Sequence, residues 1–329
     1  MRRKFSRHYF HEVGRLLSLT TCIVAGFSMS PAARAQVPVD IAQRLAAMGN
    51  QVDPFATAAL YAPLQAKVPT TGVKVLRDVQ YGPGEQEKFD VFTPSNATTG
   101  AARPILIFVH GGAFRFDDKS QTPDGQLGPF YDNVMIWAVK YGMVGINMNY
   151  TLAPRATYPA VQREIAEVVA WARAHDAQIG GDPRRIVIWG HSAGASHVAS
   201  FLAHPDVYKD VVGATKPVMG AILSSGMYTL QDSSVNVYFG PPAIAQALNS
   251  VPGLVASTVP LLVTGAQFDP AAMHDEALGL DAALTKAGRH HELAIAKQHG
   301  HMSEIYAVGT DDEAVSAPML QFIDALSRQ

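Results

Sequence analysis

A serine is chemically quiet until its hydroxyl is exposed, a neighbour takes its proton, and something nearby accepts negative charge. Residues 186–196, IVIWGHSAGAS, arrange the first of these for Ser192. A β-branched and aromatic run from Ile186 to Trp189 ends in Gly190-His191-Ser192-Ala193-Gly194, and the small, helix-compatible AGASHVASFLAH follows. A strand that turns at once into a helix forces the central residue into a costly backbone geometry and lifts its side chain clear. Glycine at 190 and 194 leaves room where neighbouring backbone would meet a side chain. The helix aims its unsatisfied N–H groups at the same point, so a developing oxyanion meets the amide of Ala193. The pentapeptide alone is a weak signal; its strand-to-helix context carries it.

Such a serine needs a base, and the base needs an orienting acid. VPLLVTGAQFDP places Asp269 just after one apolar run, and ELAIAKQHGHMSEI places His301 just after the next. Asp269 also reads as a turn aspartate before proline. His299 rivals His301 two places earlier; Met302 and Ile305 favour His301, because they mark a helix starting beside it. A second oxyanion donor comes from ILIFVHGGAFRF, in which the bare amides of Gly111 and Gly112 can approach a substrate oxygen. His110 in that stretch reads as a brace for the loop.

The elements that must position these residues are legible as apolar runs. VKVLRDVQYGPGEQEKFDVF reads as two strands around a GPGEQ turn. Residues 104–110, 143–150, 185–191, 218–225, 259–266 and 291–298 each supply a near-continuous apolar run of strand length, the pattern of strands covered on both faces. Helical patterns alternate with them and end on glycine after NVMIWAVKYG, after YPAVQREIAEVVAWARAHDAQIGG and after AMHDEALGLDAALTKAGR; APMLQFIDALSR closes the chain. The fold class is therefore α/β: a mostly parallel sheet of about eight strands, helices on both faces, and ligand-binding loops at the carboxyl ends of the strands. One domain covers 71–329. Residues 36–70 precede it, with a short helix expected at 40–48. Residues 226–258 interrupt the alternation and read as a small flap or as a surface loop with a stray helix.

The 329 residues include 26 basic and 28 acidic side chains. Residues 1–35 carry six of the basic ones (Arg2, Arg3, Lys4, Arg7, Arg15, Arg34) and Glu12, so the remainder is mildly acidic, 20 against 27. That balance gives no clustered cation surface for nucleic acid. The basic start, the short apolar LLSLTTCIVAGFSMS and the small residues Ala33 and Ala35 form a signal-peptide pattern with cleavage after Ala35, and RRKFS partly matches a twin-arginine signal. The expected destination is periplasmic or secreted, without stable membrane insertion. The one cysteine, Cys22, falls in this segment, so the mature chain is expected to have no disulfide.

HGGAF, NMNYTLAPRATYPA, GGDPRRIVIWGHSAGAS, TGAQFDP and HGHMS, in this order, resemble successive landmarks of the α/β-hydrolase superfamily over about residues 75–329. Within it the chain resembles the hormone-sensitive-lipase-like carboxylesterases and the kynurenine formamidase and acylated-carbohydrate esterase group. The pairing of GHSAG with His197, and of HGH with a hydrophobic residue, leans to the second group. Ala113 and Ala195 depart from glycines common among relatives. The resemblance assigns Tyr150, Pro154 and Pro159 to a structural strand-to-helix connection.

The expectation is a serine hydrolase of carboxylic esters with small or aromatic groups, its triad Ser192, His301 and Asp269, its oxyanion hole the amides of Gly111, Gly112 and Ala193, with no cofactor or metal. An amidase of arylformamide type on the same triad is the alternative. A metal set of His299 and His301 with His274, His290 or Asp269, and a non-catalytic binding protein, are the other readings; the former lacks a recognised ligand spacing. Phe114, Phe116, Met227, Tyr228, Tyr238 and Phe239 read either as an apolar cleft or as plain packing. The expected partner is a small-molecule ester, with no nucleic acid; the sequence leaves the oligomeric state open.

Overall fold

Along the central strands, successive side chains leave on opposite faces, and both faces are buried. Ile105, Ile107 and Val109 enter one core together with Ile186 and Ile188. Leu106 and Phe108 enter the other with Val187 and Trp189. Each such side chain contributes about 1.5–3 kcal/mol by leaving water, which is why the strands read as continuous apolar runs. The computed structural model describes residues 36–96, 102–120, 129–213 and 216–328. The expected signal peptide at 1–35 lies outside the described residues.

Eight strands form one sheet: β1 Val73–Gln80, β2 Lys88–Pro94, β3 Arg103–Val109, β4 Val144–Met148, β5 Gly181–His191, β6 Gly220–Ser224, β7 Leu261–Phe268 and β8 His291–Gly300. Their order is β1-β2-β4-β3-β5-β6-β7-β8. β2 is antiparallel to both of its neighbours, and every pair from β4 to β8 is parallel. This is the expected architecture, and the two antiparallel strands are the pair read around GPGEQ. The helices Asp132–Lys140, Ala160–Ala174, Ala193–Ala203 and Ala271–Lys286 connect the strands, and Ser316–Ser327 follows the last one.

The register brings the carboxyl ends together. Val109 pairs with Gly190, His191 with Ser224, Ser224 with Thr264 and Phe268 with Gly300. The residues that follow these pairs therefore leave the sheet side by side.

Two regions hold more structure than the sequence reading specified. Residues 36–70 hold two helices, Val39–Met48 at the expected place and Pro54–Gln65, which Asp53 caps by accepting from the Ala56 N–H at 2.9 Å. The second helix escapes a periodicity search because it is apolar nearly all round and has Pro63 inside it. Residues 226–258 contain the short helices Asn236–Phe239, Pro242–Ala247 and Val251–Ala256. The last is pressed onto the Ala193–Ala203 helix: a Cβ on Gly253 would come within 2.3 Å of the Ala203 carbonyl oxygen. Among the described residues, no helix is long and apolar enough to cross a membrane.

Candidate active site

Ser192 stands between β5 and the Ala193–Ala203 helix with φ 56° and ψ −122°, a left-handed conformation that costs a residue with Cβ about 1–3 kcal/mol. Neighbouring backbone holds it there. The Ser192 N–H donates to the Ser224 carbonyl at 2.8 Å, which locks the corner to the end of β6. A Cβ on Gly190 would sit 2.4 Å from the Gly194 carbonyl oxygen, and one on Gly194 would sit 2.1 Å from that of Val109. Both glycines are thus required by backbone-to-backbone approach, which presses the start of the helix against the end of β3. Ser192 keeps 8% of its surface exposed, and its hydroxyl makes no hydrogen bond among the described residues.

Asp269 and His301 follow the paired residues Phe268 and Gly300. The His301 ring meets Asp269 with Nδ1 2.9 Å from Oδ1. An ionised carboxylate only accepts, so Nδ1 carries the hydrogen and Nε2 keeps a lone pair. The other Asp269 oxygen accepts from the Ala266 N–H at 2.7 Å and lies 2.6 Å from the Ser225 hydroxyl. Burial pushes the Asp269 carboxyl up, but the bonds from His301, Ser225 and Ala266 outweigh it and hold it below the usual carboxylate range.

His191 adds a support that the sequence reading did not identify. Its ring lies 4.7 Å from that of His301, and its Nε2 reaches the His301 carbonyl at 3.1 Å. Burial, then the neighbouring His301, pushes the His191 pKa down to about 3. It is therefore a neutral donor that fixes the backbone of its neighbour.

The loop after β3, with the candidate oxyanion donors Gly111 and Gly112, approaches the serine. A Cβ on Gly111 would lie 3.1 Å from the Ser192 Cβ, so a side chain there would crowd the hydroxyl. Gly112 is glycine for a different reason than the one read from sequence. Its φ is +102°, and its Cβ would fall 2.0 Å from the Phe116 carbonyl, inside a tight turn whose Arg115 and Phe116 amides both donate to the Gly112 carbonyl. Tyr150 orients the loop: its hydroxyl lies 2.9 Å from both the His110 and the Gly111 carbonyl oxygens. In a trans peptide C=O and N–H point opposite ways, so the Gly111 and Gly112 N–H groups face away from Tyr150. Among the described residues, the amides of Gly111, Gly112 and Ala193 donate to no protein acceptor. His110 is buried with its Nδ1 2.8 Å from the Gly111 carbonyl and its ring stacked 4.5 Å from Tyr150.

Other candidates sit elsewhere. His299 turns to Asp312, 3.5 Å away, and to the Ser303 hydroxyl at 3.0 Å. Among the described residues, no three His, Cys, Asp or Glu side chains converge as a metal ligand set. Of the six cleft candidates only Phe116, 64% exposed, is at the surface; Phe114, Met227, Tyr228, Tyr238 and Phe239 are buried. Tyr228 donates to the Leu223 carbonyl and Tyr238 to Gln162 Oε1, so hydrogen bonds let these phenols pack inside. His197 lies among Phe114, Tyr150 and Tyr238, with centroid separations of 5.2, 4.9 and 4.4 Å. Sequence reasoning also passed over Ser225 and Glu304; the lone acid in the apolar stretch HMSEIYAV was the available signal.

A parallel sheet in this order, with a strained serine after one strand and an Asp–His pair after two others, defines a class. The chain has the α/β-hydrolase fold, and its relatives are esterases and formamidases. A family model described as BD-FAE matches residues 89–219. The chain is 28% identical to Esterase LipQ of Mycobacterium tuberculosis over 231 residues, 64% of this chain and 53% of that protein. It is 30% identical to a kynurenine formamidase of Salmo salar over 157 residues, 48% of this chain and 47% of that one. The chain thus spans about half the length of these curated relatives. Among solved structures, it resembles a bacterial heroin esterase at 21% identity and TM-score 0.64, covering 88% of this chain and 98% of that one. It also resembles esterase B of Lactobacillus rhamnosis at 16% identity and TM-score 0.67, covering 88% and 96%. These two likenesses show the fold.

Proposed function

We propose that the protein is a carboxylic ester hydrolase working through an acyl-enzyme on Ser192. The observation that carries this reading is the 2.9 Å contact between His301 and Asp269 at the edge where Ser192 stands on its elbow. That contact leaves the His301 Nε2 lone pair free to take a proton. Ser192 Oγ attacks the ester carbonyl as its proton passes to His301 Nε2. Asp269 holds the resulting imidazolium, and the unpaired amides of Gly111, Gly112 and Ala193 receive the oxyanion. As the intermediate collapses, His301 returns the proton to the leaving alcohol. Water then repeats the cycle, and the acid departs. The free enzyme has no serine–histidine hydrogen bond, and such contacts often tighten only when substrate binds.

Support for ester chemistry comes also from the esterases among the relatives. The kynurenine formamidase likeness favours one second reading, an arylformamidase on the same residues, in which His301 protonates a leaving arylamine. Hydrolysis of p-nitrophenyl esters of graded chain length, acetylated sugars and N-formyl arylamides, by wild type and Ser192→Ala, tests both. Ester turnover lost in the variant is expected. Equal rates from the two proteins discard the mechanism, and a preference for the formylated amine selects the second reading. We also infer export, from the basic, apolar and small-residue order of 1–35; N-terminal sequencing of protein from the periplasm or medium is expected to begin near Gln36, and an intact Met1 there overturns it.

A further inference from the structure

Behind the catalytic carboxylate lies a second one. Glu304 is fully buried, and its Oε2 is 2.6 Å from the Ser225 hydroxyl, which itself lies 2.6 Å from Asp269 Oδ2. One hydroxyl thus bridges two carboxyl groups. The contacts continue on the other side of Glu304: Oε1 meets the Thr264 hydroxyl, which meets Ser224 Oγ at 2.7 Å, which accepts from the Trp189 indole N–H at 2.8 Å.

These are five contacts, from Trp189 to Asp269, yet the indole and the three hydroxyls bring only four hydrogens. A fifth is needed, and only a carboxyl group can carry it. Asp269 already accepts from His301 and from the Ala266 amide, both of which favour its ionised form. Glu304 accepts from no backbone amide among the described residues, and none of its surface is exposed, so burial disfavours its charged form.

Resting on the hydrolase reading above, we infer that Glu304 is a positioning residue for that catalysis: protonated, it donates from Oε2 to Ser225, which commits the Ser225 hydrogen to Asp269. Every hydrogen then has one acceptor, and the chain runs in one direction, with Thr264 donating to Oε1 and Ser224 donating to Thr264. An ionised Glu304 would draw the Ser225 hydrogen to itself and leave two bare oxygens facing at the Ser225–Asp269 contact. Asp269 would lose a donor, and its hold on His301 would loosen.

The Ser225 backbone supports a selected role for that hydroxyl. Its φ is 51°, where glycine is the residue without penalty, yet a serine stands there. The titration of the pair agrees: burial, then the charge of Asp269, pushes Glu304 up to about 7. The other titratable groups facing Glu304 are His301 and Tyr228. On the side away from Asp269, Glu304 borders a cavity of about 610 Å³, lined also by Thr264, Gln267, Lys297, Val315 and Met319. Lys297 is the cation among the residues lining that cavity.

Infrared difference spectroscopy on the whole protein reads the proton directly. Below about pH 7 the carbonyl stretch of a buried protonated carboxyl group is expected in wild type and absent in Glu304→Gln. A wild-type spectrum without that band, or a band unchanged in the variant, overturns the inference. Kinetics on p-nitrophenyl acetate supply the second readout. Gln donates and accepts in the same two places, so Glu304→Gln is expected to keep kcat within about threefold, while Glu304→Leu and Ser225→Ala lose about tenfold with KM unchanged. A Gln variant as slow as the Leu variant overturns the claim that a neutral donor suffices. If Ser192→Ala proves as active as wild type, the hydrolase reading fails, and the infrared band still decides the state of Glu304.

Discussion

His299 and His301 are two residues apart at the end of β8, and both are buried beside an aspartate and a turn. Residues so spaced on a strand share a face. Here they do not share surroundings, because the chain leaves the sheet at Gly300 and turns between them and the helix Ser303–Tyr306. His301 comes out beside Asp269, whose second oxygen is held by Ser225 and the Ala266 amide. His299 stays inside, stacked 6.5 Å from Tyr61, with its Nδ1 3.0 Å from Ser303 Oγ. That serine cannot act as a nucleophile: it is fully buried, donates to the Gly300 carbonyl and accepts from the Gly300 amide. Asp312 is shared with the Tyr61 hydroxyl, 3.1 Å away, so this group ties the Pro54–Gln65 helix to the end of β8. Three residue types in proximity therefore do not make a catalytic set. What separates the two groups is a serine on a strained corner that keeps part of its surface open, with amides beside it that donate to no protein acceptor among the described residues.

The largest expected effect breaks the comparison outright. His301→Ala is expected to lower kcat on an aryl ester by about 10⁵-fold or more, while His299→Ala leaves kcat within about threefold and lowers the unfolding free energy by about 1–3 kcal/mol. Urea unfolding monitored beside the kinetics separates the two, and a reversed pattern would transfer the base to His299. Asp269→Asn is expected to cost about 10⁴-fold in kcat by favouring the wrong imidazole tautomer. Asp312→Asn is expected to register in thermal melting and leave rates near wild type. Gly194→Ala forces a methyl against the Val109 carbonyl at 2.1 Å; a loss of about 3 kcal/mol or more in stability is expected, since backbone on both sides must move. Little change in its urea midpoint would show that the elbow has room for a methyl group.

The smallest effect concerns pH. Glu304 has a folded pKa raised from 4.5 to about 7, so its contribution to stability is fully present below about 4.5 and is lost as pH rises through about 7. Asp269 is lowered from 3.8, so its contribution is present above that value and is lost as pH falls through its folded pKa. Between about pH 4.5 and pH 7 wild type is expected to lose on the order of 2 kcal/mol that Glu304→Gln does not lose. Parallel urea titrations across that window check it; identical slopes for the two proteins would count against the protonated Glu304.

Ser192 was the most legible part of the site. Gly190 and Gly194, an apolar strand before them and a small-residue helix after them form one continuous stretch, and their sterics are local. Asp269 and His301 were legible as positions after strands, because strand ends carry ligands in a parallel sheet. The choice between His299 and His301 rested on Met302 and Ile305 alone. The aromatic side chains of 226–258 were ambiguous for a like reason: composition does not show whether a tyrosine hydroxyl finds a buried acceptor, as Tyr228 and Tyr238 do.

The sequence by itself determined the α/β alternation and the corner at Ser192, since both follow from neighbours a few residues apart: strand periodicity, helix stops, and the room that only glycine leaves. Tertiary structure decided which histidine meets Asp269, which amides lie beside the serine, and that Glu304 shares a hydroxyl with Asp269. Those contacts depend on the register of β7 against β8 and of β3 against β5, and register is set by packing across the whole sheet, which no single stretch of chain encodes.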